Sequence, residues 1–150
     1  MPLPAVVVHS AEGEILDYGD GDSSRVLASG VATGGAFSVV EHRLAAGTGG
    51  PPLHRHERLC DAFFVLEGTL TLQIEERSVL AREGTFACFP PGIAHTFRNE
   101  SDQIVRVLNI NAPGGWEEVL RALATKGGGE QVSQGEVGRI AAERDMIVLD

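Results

Sequence analysis

His54 and His56 stand one residue apart and are well suited to metal chemistry. On an extended strand, residues two apart project from the same face, so both imidazoles would point the same way. Imidazole is a ligand for Zn, Cu, Fe and Ni. The pair supplies half of a metal site, although the spacing alone also fits two ordinary surface or core histidines.

A second segment, GTFACFPPGIAHTFRN, brings a further histidine to the start of a predicted strand. Its two prolines and following glycine, at 90–92, favour a tight turn. The next strand opens at His95, and His95, Phe97 and Asn99 share one of its faces because strand side chains alternate.

Short runs of alternating or β-branched residues, bounded by Gly, Pro or Asp, predict β-strands along most of the chain. The predicted strands are 5–8, 25–28, 36–44, 62–66, 70–74, 78–80, 85–89, 95–99 and 104–111. Many short strands with no helices between them indicate an antiparallel sandwich or barrel. No period of repetition is present that would indicate a solenoid or propeller.

The C-terminal part has a different pattern. Apolar residues at helical spacing predict an amphipathic helix over 115–124; they are Trp116, Val119, Leu120 and Leu123. A glycine-rich connector over 126–135 follows. A short helix around 136–144 and a closing strand at 146–149 complete the chain, and that strand is expected to join a sheet edge or a partner subunit.

Bulk composition narrows the function classes. A chain of 150 residues holds one hydrophobic core, and its formal charge of −9, without any run of Lys or Arg, argues against nucleic acid or an anionic membrane as partner. The N-terminus lacks the features of a signal peptide or a membrane span. We therefore expect a cytoplasmic protein in which Cys60 and Cys88 are reduced thiols that serve packing.

The two histidine segments together resemble the cupin superfamily. The second segment matches the pattern G-x5-P-x-G-x2-H-x3-N, and it resembles the second cupin motif at every defined position; the matching residues are Gly84, Pro90, Gly92, His95 and Asn99. In the first cupin motif, H-x-H is followed by a Glu and then a Gly. His54, His56 and Gly68 fall in register with it, and Asp61 occupies the Glu position.

The similarity extends over almost the whole chain to the small single-domain cupins described as quercetin 2,3-dioxygenase-like. That resemblance implies an all-β, cupin-type jelly-roll barrel with a short C-terminal helical segment, and frequently a homodimer. It implies one domain over 1–150, with the barrel core at about 25–112, a helix at about 115–124 and a helix and strand at about 136–149. It also implies one divalent transition metal per chain, whether Fe, Mn, Ni, Co, Cu or Zn, on His54, His56, Asp61 and His95.

Asp61 departs from the family pattern, because Asp is one methylene shorter than Glu and reaches about 1.5 Å less far. Three outcomes follow from that difference. Asp61 ligates directly, it acts through a water and leaves three histidines as ligands, or Glu57 replaces it. Loss of the charged ligand would raise the Lewis acidity of the ion and lower its affinity.

Phe63, Val65 and Phe97 have the strand parity to line a substrate pocket beside the metal, and core packing is their simpler role. His42 could reach the same cavity, although an exposed or packed histidine is the more ordinary reading, and Tyr18 could donate a proton.

The resemblance implies dioxygenation of a small hydroxylated aromatic, flavonol-like or enolisable substrate, with Asp61 accepting the substrate proton. A non-oxidative metal-dependent isomerase, cyclase or lyase is one alternative. A non-catalytic small-molecule-binding cupin is another.

Overall fold

A computed structural model describes residues 1–127 and 133–149 of the chain. It has the following strands in chain order: β1 Glu14–Gly19, β2 Asp22–Ala28, β3 Ser38–Leu44, β4 His54–Arg55, β5 Cys60–Glu67, β6 Leu70–Ile74, β7 Arg77–Ala81, β8 Phe86–Phe89, β9 His95–Arg98, β10 Val105–Ala112 and β11 Ile147–Val148. Helix α1 spans Glu117–Gly127, helix α2 spans Gln134–Ala141, and a 3-10 turn follows at Ala142–Arg144. Within those described ranges, no helix is long and apolar enough to cross a bilayer.

The strands form two antiparallel sheets that face each other as a jelly-roll β-barrel. One sheet has the order β1-β2-β3-β10-β5-β8 and the other the order β11-β4-β9-β6-β7. Alternation explains why these segments form strands with one buried face: along β10, residues 105, 107, 109 and 111 are buried and their neighbours are half-buried. The all-β prediction is confirmed.

The main core lies between the sheets. Its largest buried side chains come from both of them, with Phe63 and Val65 on β5 facing Leu70 and Leu72 on β6. Burial of such side chains contributes roughly 1.5–3 kcal/mol each. Phe89 of this core stacks on His95, so the core borders the polar residues described below.

Helix α1 covers the outer part of the barrel. The predicted apolar stripe lies as expected, because Leu120 packs with Leu16, Val26 and Val40 while Val119 packs with other residues of the C-terminal part. The helix begins and ends two or three residues later than predicted. The C-terminal elements that follow it reach the polar residues described below, where the Asp145 carbonyl contacts His56.

The chain after α1 returns to the barrel. Ser133 caps α2 by accepting a hydrogen bond from the Glu136 backbone N–H. Strand β11 pairs with β4 of the same chain, so the predicted closing strand joins a sheet edge. The predicted connector over 126–135 lies in part, at 128–132, outside the described residues.

The predicted strand at 5–8 is wrong. Those residues form no strand, and residues 5–7 are exposed. Strand β1, which the sequence pattern did not indicate, lies antiparallel to β2 at the edge of the larger sheet. The strand that pairs with β2 is therefore β1 and not the apolar run at 5–8.

Gly50 shapes the loop that leads to β4. Its φ is +73°, and a side chain there would place its Cβ 1.7 Å from the carbonyl oxygen of Phe97. Only glycine allows so close an approach. The loop can therefore press against β9 and form a wall of the cavity described below.

Candidate metal centre

Four buried residues converge between the two sheets, and they are His54, His56, Asp61 and His95. Strand pairing sets the first contact, because His54 on β4 lies directly opposite His95 on β9. His56 follows two residues later, and Asp61 extends from β5 of the other sheet. One possible ligand atom from each residue lies within 4.8 Å of all the others. Donors about 2.1 Å from a shared ion lie up to roughly 4.2 Å apart, so a small contraction would complete the site.

Each imidazole is held by a backbone carbonyl at Nδ1. The acceptors are the carbonyl of Pro52 for His54 at 2.8 Å, that of Asp145 for His56 at 2.6 Å and that of Ile93 for His95 at 2.9 Å. A carbonyl only accepts, so Nδ1 carries the proton in all three rings. In the neutral imidazoles, Nε2 is left with its lone pair free for a metal ion.

Asp61 faces these rings with one carboxylate oxygen. Its Oδ2 lies 2.9 Å from His95 Nε2 and 3.6 Å from His56 Nε2. When Nε2 is unprotonated, these contacts set lone pairs against a negative oxygen and need a proton or a cation between them. The donor set of three imidazole nitrogens and a carboxylate oxygen fits a divalent transition metal.

The other oxygen of Asp61 is held by two amides of β10. Asn109 Nδ2 and Asn111 Nδ2 each donate to Oδ1 at 2.7 Å. Asn111 lies directly opposite Asp61 in the sheet register. The two bonds occupy Oδ1 and direct Oδ2 at the histidines, as hydrogen bonds behind a ligating carboxylate commonly do.

The position of Asp61 compensates for its side chain being shorter than that of Glu. Although the side chain is short, Oδ2 already lies in the cluster at 2.9 Å from His95. Glu57 does not substitute for it, because Glu57 is exposed and its backbone N–H donates to Asp145. The residue that lies among the histidines is therefore Asp61 and not Glu57.

Burial and mutual contact shift the pKa values of the cluster in different directions. Burial, together with the neighbouring His95 and His56, lowers the pKa of His54 to about 4. Burial lowers the pKa of His56, but the hydrogen bond and the negative charge of Asp61 outweigh burial, so the pKa is raised overall. Burial alone would raise the pKa of Asp61, yet contacts with His56 and His95 hold that pKa well below its usual range. Asp61 is thus a carboxylate in the metal-free protein.

A chain of hydrogen bonds runs from Asp61 through His42 to Tyr18. Asn109 Nδ2 donates to Asp61, so its Oδ1 accepts from His42 Nε2 at 3.1 Å. His42 Nδ1 then accepts from the Ser24 hydroxyl at 2.6 Å, and Ser24 accepts from the Tyr18 hydroxyl at 2.8 Å. His42 is thereby fixed in one tautomer, and burial lowers its pKa.

A cavity of about 460 Å³ opens next to the cluster. His54 and Asp61 form part of its wall, and aromatic and aliphatic side chains from the barrel and α1 form another part; these include Phe63, Phe97, Trp116, Val119, Leu120 and Leu123. The volume lies within the range of small-molecule sites. Among the described residues that line it there is no Arg or Lys, whereas Asp20, Asp22 and Asp61 are present.

Two of the three predicted pocket residues line this cavity. Phe63 and Phe97 are among the lining residues, with ring centroids 5.1 Å apart. Val65 is not among them and packs in the main core. It shares strand parity with Phe63 but lies two residues further along β5, outside this cavity, and its role in a substrate pocket stays a prediction. His42, for which packing was the simpler reading, is both packed and part of the cavity wall.

Several residues that shape the site were not predicted. The sequence could have indicated Asn109 and Asn111, since both occupy inward positions of a predicted strand whose other inward residues are valines. Trp116 was assigned to a helix, but its contact with His56, at 5.3 Å between ring centroids, was not foreseen. Asp145 had no signal, because nothing local in the sequence relates it to His56.

Part of this chain matches a known protein family, and a curated relative is similar over most of the chain. Residues 40–111 match the cupin domain family. Quercetin 2,3-dioxygenase of Bacillus subtilis (strain 168) is 28% identical over 153 aligned residues, which cover 96% of this chain and 44% of that protein. The chain thus spans less than half the length of this curated relative.

Solved structures agree on the fold. KdgF from a Halomonas species superposes with a TM-score of 0.66 at 16% identity, over 77% of this chain and 99% of that one. A sugar phosphate isomerase of the cupin superfamily from Silicibacter pomeroyi superposes with a TM-score of 0.55 at 29% identity, over 70% of this chain and 68% of that one. The match over residues 40–111, the jelly-roll barrel and the buried histidine cluster agree with one another, and this part of the chain is a cupin domain.

Proposed function

We propose that this chain is a metal-dependent dioxygenase that acts on a small hydroxylated aromatic, flavonol-like or enolisable substrate. The observation that carries the proposal is the common orientation of the three imidazoles. Each holds its Nδ1 proton on a backbone carbonyl and presents Nε2 to the same point as Asp61 Oδ2. Such pre-orientation is what a resident divalent ion requires.

His54, His56, His95 and Asp61 would hold the ion. When bound, it would supply Lewis acidity toward a substrate hydroxyl or enolate and support reaction with dioxygen. Asp61 Oδ2 accepts the substrate proton, since Oδ1 is held by Asn109 and Asn111. The aromatic rings of Phe63 and Phe97 bind the flat face of the substrate and exclude water.

The character of the cavity favours an uncharged or weakly acidic ring compound. A phosphorylated substrate would need cationic partners, and the described lining residues offer carboxylates in their place. The name of the Bacillus subtilis relative points to the same substrate class. Cytoplasmic location and a homodimer stay predictions.

A non-oxidative isomerase, cyclase or lyase is the second candidate, and the likeness to a sugar phosphate isomerase at 29% identity favours it. It would use the same ion as Lewis acid and the same carboxylate for proton transfer. A non-catalytic binding cupin would keep the metal and retain its ligand unchanged.

Elemental analysis tests the metal, and oxygen uptake tests the reaction. Protein made without a metal-binding tag should contain close to one first-row ion per chain, which His54→Ala loses and the exposed-histidine control His9→Ala retains. With quercetin or a related flavonol, turnover should consume oxygen and stop under nitrogen. Turnover that continues under nitrogen would favour the isomerase or lyase, and a wild-type protein that stays metal-free after reconstitution would contradict both.

A further inference from the structure

Cys60 and Cys88 form a contact that the proposed reaction does not use. Their Sγ atoms lie 3.3 Å apart on neighbouring strands β5 and β8, and both are free thiols. Cys60 and Ala62 lie two residues apart on β5 and so share a face, and Cys88 is the register partner of Ala62. Both cysteines therefore project from the outer face of the sheet, opposite to Asp61. Cys88 is exposed and Cys60 is half-buried, so a soluble oxidant can reach the pair.

We propose that Cys60 and Cys88 are a reversible oxidation site, which a peroxide converts to a cross-strand disulfide that weakens metal binding at the centre behind it. The disulfide does not depend on the proposed function. The effect on metal binding rests on the metal centre proposed above.

The chemistry balances with one peroxide per pair of thiols. Peroxide oxidises one cysteine to a sulfenic acid, as its O–O bond breaks and one water leaves. The second sulfur attacks the first, an S–S bond forms and a second water leaves. Both sulfurs are oxidised and both peroxide oxygens are reduced. Burial and the contact with Cys60 raise the pKa of Cys88 to about 11, which keeps Cys88 protonated and slows its reaction with peroxide.

The strand positions of the two cysteines permit the closure. An S–S bond is about 2.05 Å long, so the sulfurs must approach by roughly 1.2 Å. Cys60 is the first residue of β5, and β8 is the outermost strand of its sheet, with a neighbour on one side only. Strand ends and edges move more readily than a sheet centre.

The same strand ends carry the metal centre on their inner face. Asp61 follows Cys60, Phe89 follows Cys88, and Asp61 and Phe89 are register partners. The Phe89 ring stacks on His95, with centroids 4.3 Å apart and planes 14° apart. Drawing Cys60 and Cys88 together therefore displaces Asp61 relative to His95, whose contact is 2.9 Å. Disturbing groups that orient metal ligands typically lowers affinity by about 10–100-fold.

The disulfide is tested first, on the metal-free full chain treated with hydrogen peroxide. The expected product has lost the mass of two hydrogens, yields a linked Cys60–Cys88 peptide and returns to the starting mass with a dithiol. Cys60→Ser and Cys88→Ser each gain oxygen and form no internal bridge. Oxygen added to the wild-type cysteines without a bridge would overturn the proposal.

Zn²⁺ affinity then tests the coupling, with reduced protein, oxidised protein and the double variant Cys60→Ser/Cys88→Ser. Zn²⁺ is redox-inert and does not itself oxidise thiols. The oxidised protein should bind about tenfold more weakly than the reduced protein, and the double variant should match the reduced protein before and after peroxide. Equal affinities of both wild-type forms would overturn the coupling. Absence of Zn²⁺ binding in both forms would overturn the metal centre and leave the disulfide result standing.

Discussion

The Nδ1–H of His56 donates a 2.6 Å hydrogen bond to the backbone carbonyl of Asp145, which lies 89 positions further along the chain. The carboxylate of Asp145 accepts three more bonds from the backbone N–H groups of residues 57–59, at 2.8–2.9 Å. Asp145 has a left-handed backbone, with φ of +67°. The C-terminal segment therefore fixes both the loop after His56 and the orientation of its ring.

Replacing Asp145 should damage the metal site from a distance. Asp145→Asn keeps the size of the side chain but cannot accept the same three N–H bonds, so we expect a loss of about 1–3 kcal/mol in the free energy of unfolding. Metal affinity should fall about 10–100-fold, because the loop after His56 and the carbonyl at position 145 are held less firmly. Urea unfolding and metal titration measure the two effects. Glu143→Gln, at an exposed neighbouring position, is the control, and equal affinities in both variants would contradict the prediction.

The two amides that hold Asp61 should differ in importance. Asn111→Ala removes one donor from Oδ1, whereas Asn109→Ala also removes the acceptor of His42 and a bond to the Ala62 carbonyl. We expect roughly 1–2 kcal/mol of destabilisation for Asn111→Ala and a larger loss for Asn109→Ala, since buried polar groups are left unpaired. Equilibrium unfolding measures this order, and a reversed order would contradict the hydrogen-bond chain.

Much of the barrel could be predicted because alternation and turn residues are local signals. β6 was predicted to the residue, β5 extends three residues in total beyond the predicted strand, and β10 is shifted by one residue. The failure at 5–8 has a physical cause: apolar content was read as a strand, although a strand also needs a partner. β1 is built from EILDYG, in which Ile15, Leu16 and Tyr18 are apolar, and it is a strand because β2 lies beside it.

The candidate site was predictable as a set of ligands but not as an arrangement. His54 and His56 share a face by strand parity, and the motif resemblance added Asp61 and His95. Their orientation depends on the Asp145 carbonyl and on Asn109, which reach the cluster through sheet register and chain return. Such contacts join residues far apart in sequence, so no local pattern contains them.

Trp116 offers a direct optical test of the metal centre. It is the only tryptophan in the sequence, and its ring lies edge-on to His56 at 5.3 Å between centroids. A paramagnetic ion such as Ni²⁺ or Cu²⁺ on His56 Nε2 should quench its fluorescence, with saturation near one ion per chain. His54→Ala should require at least about tenfold more metal for the same quenching. Quenching that is unchanged in His54→Ala would place the ion elsewhere.

Acid should destabilise the metal-free protein partly through His42. Burial lowers the pKa of His42 in the folded protein, whereas the unfolded chain titrates near about 6.5. Between these two values the unfolded state binds more protons, so the free energy of unfolding falls as the pH falls below about 6.5. The contribution is at most about 1.4 kcal/mol for each pH unit. Above about pH 6.5 His42 does not contribute to the pH dependence of the free energy of unfolding, because it is neutral in both states.

His42→Gln isolates this contribution. The variant retains the other buried histidines, including His54, whose lowered pKa acts in the same direction, so subtracting its pH profile from that of the wild type removes their share. Urea unfolding with chelator present, at about pH 7.5 and about pH 5.5, measures both profiles. The wild type should lose more stability than His42→Gln over this interval. Equal losses would mean that His42 binds protons as readily in the folded protein as in the unfolded chain. They would contradict the hydrogen bond in which the buried Nδ1 of His42 accepts from the Ser24 hydroxyl.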